Sequence, residues 1–179
     1  MSFARVRALV VVGVLVLFAL VFVTVAVARD SQRGGVTAKE CPEGWPLADL
    51  TLREPDKVKI NVYNATAKPR LANSVADDFR NRKFQVDEVG NDPQKKSIDQ
   101  IAVLRYGPRA VGGAHLLRAY FLDNAVTEFD PTRTDDFVDV VIGNAFQQLA
   151  TTTEVNQSLT DLGSAQLPPN TCEDPNVAD

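Results

Sequence analysis

An α/β (α+β) domain carried behind a single apolar helix is the fold this chain of 179 residues predicts. Two observations predict it. Residues 8–28 form one uncharged apolar run, and the apolar residues between 57 and 149 alternate between a period of two and a period near four.

Residues 8–28 read ALVVVGVLVLFALVFVTVAVA. About 20 helical residues cross the ~30 Å apolar core of a bilayer, so this run is read as a transmembrane anchor. Core helices of that length without a polar face are rare. The alternative is a cleaved signal peptide, since Ala26-Val27-Ala28 has the small-x-small pattern of a cleavage site; signal cores are usually shorter, at about 7–15 residues. Residues 1–7 form the short cytoplasmic start. Arg5 and Arg7 before the run are nearly matched by Arg29, Arg33 and Lys39 after it, so charge alone does not fix the orientation.

The two cysteines help to fix it. Cys41 and Cys172 bracket the folded region. A disulfide between them would close a loop of 131 residues, which the chain-entropy treatment values at about 5 kcal/mol. Disulfides persist in oxidising compartments. The pair is therefore read as a staple rather than two free thiols, with the amino terminus in the cytoplasm and the domain outside the membrane. Two cysteines and one histidine do not make a tetrahedral zinc set, and no cofactor or metal is expected.

Residues 29–56 read as a linker, with Gly34-Gly35, Pro42, Gly44, Pro46 and Pro55; Trp45 and Leu47 are candidates for docking it. The domain runs from 57 to 160. Val58, Ile60 and Val62 alternate as a half-buried strand does. Leu71, Val75 and Phe79 recur every four residues, a helix with Pro69 in its first turn. Phe84, Val86 and Val89 restart the alternation. The pattern then repeats as a strand at 101–106, a helix at 112–122 and a strand from Val126. At an offset of 42, Ala72, Val75, Phe79 and Phe84 fall on Ala114, Leu117, Phe121 and Val126.

Two β-α-β units of equal length predict helices packed on one sheet face, as in ferredoxin-like folds. A fifth strand, Phe137 to Ile142, is apolar enough to be buried on both faces. A last helix is expected from Asn144, with Phe146 and Leu149 inward, fraying in Thr151-Thr152-Thr153. Residues 161–179, with Pro168-Pro169 and Pro175, read as an irregular tail tied back through Cys172.

Charge excludes some functions. Residues 30–179 carry 16 Lys+Arg against 23 Asp+Glu, a net of −7, which argues against a nucleic-acid binder. Catalytic signals are weak. His115 is the only histidine, so any Ser-His-Asp or Cys-His mechanism would need it. Asp77-Asp78, Asp87-Glu88 and Asp135-Asp136 read as solvated pairs rather than a glycosidase dyad. Gly112-Gly113 is a poor phosphate motif. One cluster suggests binding: Asn64 ends the first strand, Lys68 and Arg70 follow in the strand–helix turn, and Arg109 lies in the equivalent turn of the second unit. If the units are pseudo-symmetric, these cations face the same side and form an anion-preferring site.

Three segments, VKINVYNATAKPRLANSVADDFRNRKFQVDEVGN (58–91), IAVLRYGP (101–108) and VDVVIGNAFQQL (138–149), resemble the LytR C-terminal domain family of actinobacterial envelope proteins. Asn64, the Leu71-Ala72 pair and the Val140, Val141, Ile142, Gly143, Phe146 run match the family's pattern. The family's turn after the Asn is usually glycine-rich, whereas here it is Ala65-Thr66-Ala67-Lys68-Pro69-Arg70. In many relatives the domain follows a catalytic domain that transfers anionic polymer onto peptidoglycan; residues 57–160 resemble the lone C-terminal module. The resemblance implies a non-catalytic, membrane-anchored module that supports envelope integrity. Its implied partners are peptidoglycan or an anionic wall polymer, or the wall-assembly transferases. A wall-modifying enzyme, or an accessory subunit of such a transferase, is the alternative.

Overall fold

The structure, a computed structural model, describes residues 12–24 and 41–177. It divides into the stretch up to Cys41 and a compact unit beginning at Pro42. In the first, residues 12–24 form a helix (α1) whose side chains are all exposed, Phe22 at 73%. Among the described residues no helix is long and apolar enough to cross a membrane. The ends of the expected 8–28 span, the start at 1–7 and residues 29–40 of the expected linker lie outside the described residues.

The compact unit is built on a five-stranded mixed sheet. Its strands are β2 (Lys59–Asn64), β3 (Gln85–Asn91), β4 (Ala102–Tyr106), β5 (Val126–Phe129) and β6 (Phe137–Ile142), in the order β3-β2-β6-β4-β5. Helices α2 (Leu71–Asn81) and α3 (Val111–Tyr120) link β2 to β3 and β4 to β5. Both β-α-β units therefore form, and each places its two strands side by side and parallel.

Here the ferredoxin-like expectation is corrected. In that fold the two units interleave; here β6 separates them, parallel to β2 and antiparallel to β4. The reason lies in β6 itself. Val138, Val140 and Ile142 are buried under the helices and Val141 against Tyr63 and Val103 on the other face, and a place between two strands leaves β6 no open edge either.

One sheet face packs under both helices. Ile60, Val62, Leu104, Val138, Val140 and Ile142 meet Val75 and Phe79 of α2 and Ala114 and Leu117 of α3. The 42-residue offset holds across the helices, where Phe79 and Phe121 are both buried and their rings lie 6.4 Å apart. It fails at the strands: Phe84 is buried while Val126 is 42% exposed on edge strand β5.

Three local expectations shift. Pro69 precedes α2 instead of entering it, and Arg70 occupies the N-cap in the left-handed region at φ 61°. The last helix does not begin at Asn144: α4 starts at Thr152, where fraying was expected, and runs to Leu162. Thr151 accepts from the Glu154 backbone N–H while the Glu154 carboxylate accepts from the Thr151 backbone. This reciprocal cap satisfies two otherwise orphaned donors, and it outweighs the weak helix preference of three β-branched residues.

Finally, residues 42–56 are docked, with Ala48 buried and Leu47 paired to Cys172 while its side chain stays exposed. Ala48 is fully buried in β1 (Leu47–Ala48), which pairs in parallel with β7 (Cys172–Glu173) of the tail. The Asp49 carbonyl accepts from the Gly112 N–H at 2.9 Å. A Cβ on Gly112 would sit 2.0 Å from the Thr51 carbonyl oxygen, so this glycine admits the strap to α3. That accounts for Gly112 without any phosphate. Cys41 and Cys172, the chain's two cysteines, are disulfide-bonded.

Candidate functional site

The turn after β2 lacks the glycines its geometry would favour, and Asn64 supplies what they would have given. Its Nδ2 donates to the Lys68 carbonyl at 2.7 Å, and its Oδ1 accepts from the Thr66 N–H and hydroxyl at 3.0 and 2.8 Å. These bonds fold the turn and commit Asn64, which is 8% exposed, to scaffolding. Lys68 and Arg70 stand exposed on its outside.

A second loop is stitched to this turn. The Asp92 N–H donates to the Asn64 carbonyl at 2.9 Å and the Ile98 N–H to the Ala65 carbonyl at 3.3 Å. The loop carries exposed Lys95, at φ 54°, and exposed Lys96. Its acid, Asp92, is turned inward to Arg105 at 2.6 Å and is 1% exposed. Among the described residues no ion pair involves Lys68, Arg70, Lys95 or Lys96.

Arg109 is elsewhere. Asn64 pairs with Ile142 at one end of β6, and Tyr106 with Val138 at the other. Because β4 runs antiparallel to β6, the two strand–helix turns lie at opposite ends of the sheet, roughly 15 Å apart along the strands. The single site expected to combine Lys68, Arg70 and Arg109 therefore does not form. Arg109 reaches the Thr134 carbonyl at 3.4 Å. It borders a cleft of about 230 Å³ in which Arg53 and Lys57 face Asp49, Asp136 and Asp174.

His115 is buried, at 5% exposure, where a surface or boundary position was expected. Its Nε2 donates to the Gly163 carbonyl at 2.9 Å, which ties α3 to the end of α4. The paired acids are also engaged: Asp77 and Asp78 with Arg80 and Arg82, Asp136 with Lys59, and Glu88 with the Tyr63 hydroxyl.

The sheet face opposite α2 and α3 carries an ionic ladder that the sequence reading missed. Arg133 grips Asp139 at 2.7 Å and Asp135 at 2.8 Å, and Asn61 donates to Asp139 at 2.7 Å. Arg105 bridges Asp92 and Glu128. Burial works against the Arg133 charge, but its bonds to Asp135 and Asp139 outweigh it and push the guanidinium pKa up. Burial raises Asp135 in the same way, yet Arg133 holds its carboxyl below the usual range. Burial, then the bond to Glu88, pushes the Tyr63 phenol up. Beside the ladder sits a small apolar patch of Tyr63, Ala65, Val103 and Val141. The signal was one acid, Asp139, inside an apolar strand.

Residues 57–146 match the family described as LytR cell envelope-related transcriptional attenuator. No curated protein matches the chain. Among solved structures, the chain is similar to the soluble domain of a conserved hypothetical secreted protein, an Rv2700 ortholog, from Mycobacterium marinum. The identity is 25% and the TM-score 0.53, covering 75% of this chain and 87% of that one.

Proposed function

The chain belongs to the LytR cell envelope-related transcriptional attenuator family, and from that premise we propose a non-catalytic, membrane-anchored module that works outside the cytoplasm and supports envelope integrity by binding. Its partners are cell-wall components or wall-assembly proteins. The observation that carries this reading is how the polar groups are spent. His115 and the acids Asp77, Asp78, Glu88, Asp135 and Asp136 serve internal bonds, while Lys68, Arg70, Lys95 and Lys96, exposed at one sheet end, have no ionic partner among the described residues.

Position in the cell is supported separately. A disulfide joins Cys41 to Cys172, which favours an oxidising compartment. The M. marinum protein is secreted by its description. The exposed apolar helix at 12–24 lies inside the uncharged 8–28 run, which is long enough for a bilayer.

Co-sedimentation of the full chain, in neutral detergent, with insoluble cell wall and with solubilised envelope proteins tests the reading. Retention by either supports it. Retention by neither, together with turnover of a wall substrate that His115→Ala abolishes, replaces it with the enzymatic alternative.

A further inference from the structure

The described residues 41–177 contain 14 lysines and arginines, and eight of them are in ion pairs with acids. Of the other six, Lys68, Arg70, Lys95 and Lys96 share two loops joined by the Asp92–Asn64 and Ile98–Ala65 backbone bonds. These loops follow the carboxyl ends of adjacent parallel strands β2 and β3. Lys83 and Arg109 are at the other end of the sheet, beside residues that pair with the start of β2 and β6. Among the described residues, four of the six cations outside ion pairs thus share one end of the sheet, in a region with a net charge of −7 over residues 30–179.

Backbone conformation makes the surface open to a clean substitution. Arg70 and Lys95 hold φ values of 61° and 54°, where a residue with a Cβ costs roughly 1–2 kcal/mol and glycine costs little. Both loops accept that strain and carry a long cation at the strained position. Lys83, Leu122, Asp123 and Asn170 hold the same conformation outside these loops, so the positive φ values serve the test below and do not mark the site.

We propose that Lys68, Arg70, Lys95 and Lys96 form a docking surface for a polymer bearing repeated phosphate groups. This rests on the envelope-binding reading and specifies its partner. The cations sit on open loops and are spread along a surface, so the fitting ligand offers several charges along its length. Three ammonium groups act as point charges toward phosphate, and one guanidinium adds a planar fork. Arg109, at the far end of the sheet, takes no part.

The strained positions permit a clean test. Glycine suits positive φ, so Arg70→Gly with Lys95→Gly removes two charges while relieving the backbone. Lys83, at φ 77°, gives a matched control: Lys83→Gly with Arg109→Ala removes two charges at the opposite end. Binding of the full chain in neutral detergent to long-chain inorganic polyphosphate is measured across a salt series, with polyglutamate in parallel.

The site variant is expected to bind polyphosphate about tenfold more weakly at moderate salt, with a salt dependence about half as steep. Its melting temperature should not fall, and the control should bind as the unaltered chain does. Equal weakening by both variants would mean diffuse attraction and would overturn the proposal. So would tighter binding to polyglutamate, which indicates an acidic protein segment. If the unaltered chain ignores polyphosphate yet is retained by insoluble wall or envelope proteins, this site assignment fails while the envelope-binding reading stands.

Discussion

Replacing both cysteines, Cys41→Ala with Cys172→Ala, probes how much of the fold depends on its covalent staple. In the folded chain the staple lies beside a short strand pair. The β1–β7 pair is two residues long, and across it the Cys172 N–H donates to Pro46 and the Asp174 N–H to Ala48, at 3.1 and 3.0 Å. In the unfolded chain the bond closes a loop of 131 residues, which removes about 5 kcal/mol of conformational freedom as an upper figure. For a domain of this size that corresponds to a fall of roughly 15 °C in melting temperature. The assay is urea and thermal unfolding of the full chain with and without the substitutions. Because the uncrosslinked denatured chain is more expanded, the denaturant m-value should rise. Residues near 42–49 and 164–177 should become the first sites of proteolysis. A midpoint and an m-value both unchanged would refute the entropic account and the role of the staple.

Other perturbations follow from single contacts. Gly112→Ala places a Cβ 2.0 Å from the Thr51 carbonyl oxygen. It should cost about 3 kcal/mol and make the strap at 46–51 protease-sensitive, read by limited digestion. Thr151→Ala removes the cap of α4 and should cost about 1 kcal/mol, with Thr151→Ser largely restoring stability in a urea titration. Asp135 has a folded pKa below its usual value, held there by Arg133 against the effect of burial. Its contribution is therefore complete above the unfolded carboxylate pKa, about 4, and is lost as pH falls through the folded value. Asp135→Asn should flatten the stability profile in that acid window and leave its shape near neutral pH unchanged.

Much of the element plan was legible because burial writes a period into the chain. Val58, Ile60 and Val62 alternate, and Val75 and Phe79 keep helical spacing. The Val-rich run at 137–142 marks a strand covered on both faces. What that run does not encode is its direction against each neighbour. Orientation is decided by which ends the connecting loops reach, and it alone sends Arg109 away from Lys68 and Arg70. The ladder of Arg133, Asp139 and Asn61 was hidden for a related reason, since Asn61 meets Asp139 only through sheet register and Arg133 meets it only through the fold of the loop before β6. Asp139 was its one visible trace. At Thr151, β-branched residues pointed to fraying, while the Thr-x-x-Glu spacing that starts α4 was present and carried more weight. Gly112 marked a close backbone approach whose partner, Thr51, lies 61 positions away in the chain.

Photocrosslinking in intact native cells, from a probe placed at Lys95, tests the central claim most directly. Crosslinks to envelope components outside the membrane, lost when the probe is moved to Lys83, are the predicted result. Crosslinks to cytoplasmic proteins, or equal yields from both positions, would contradict it.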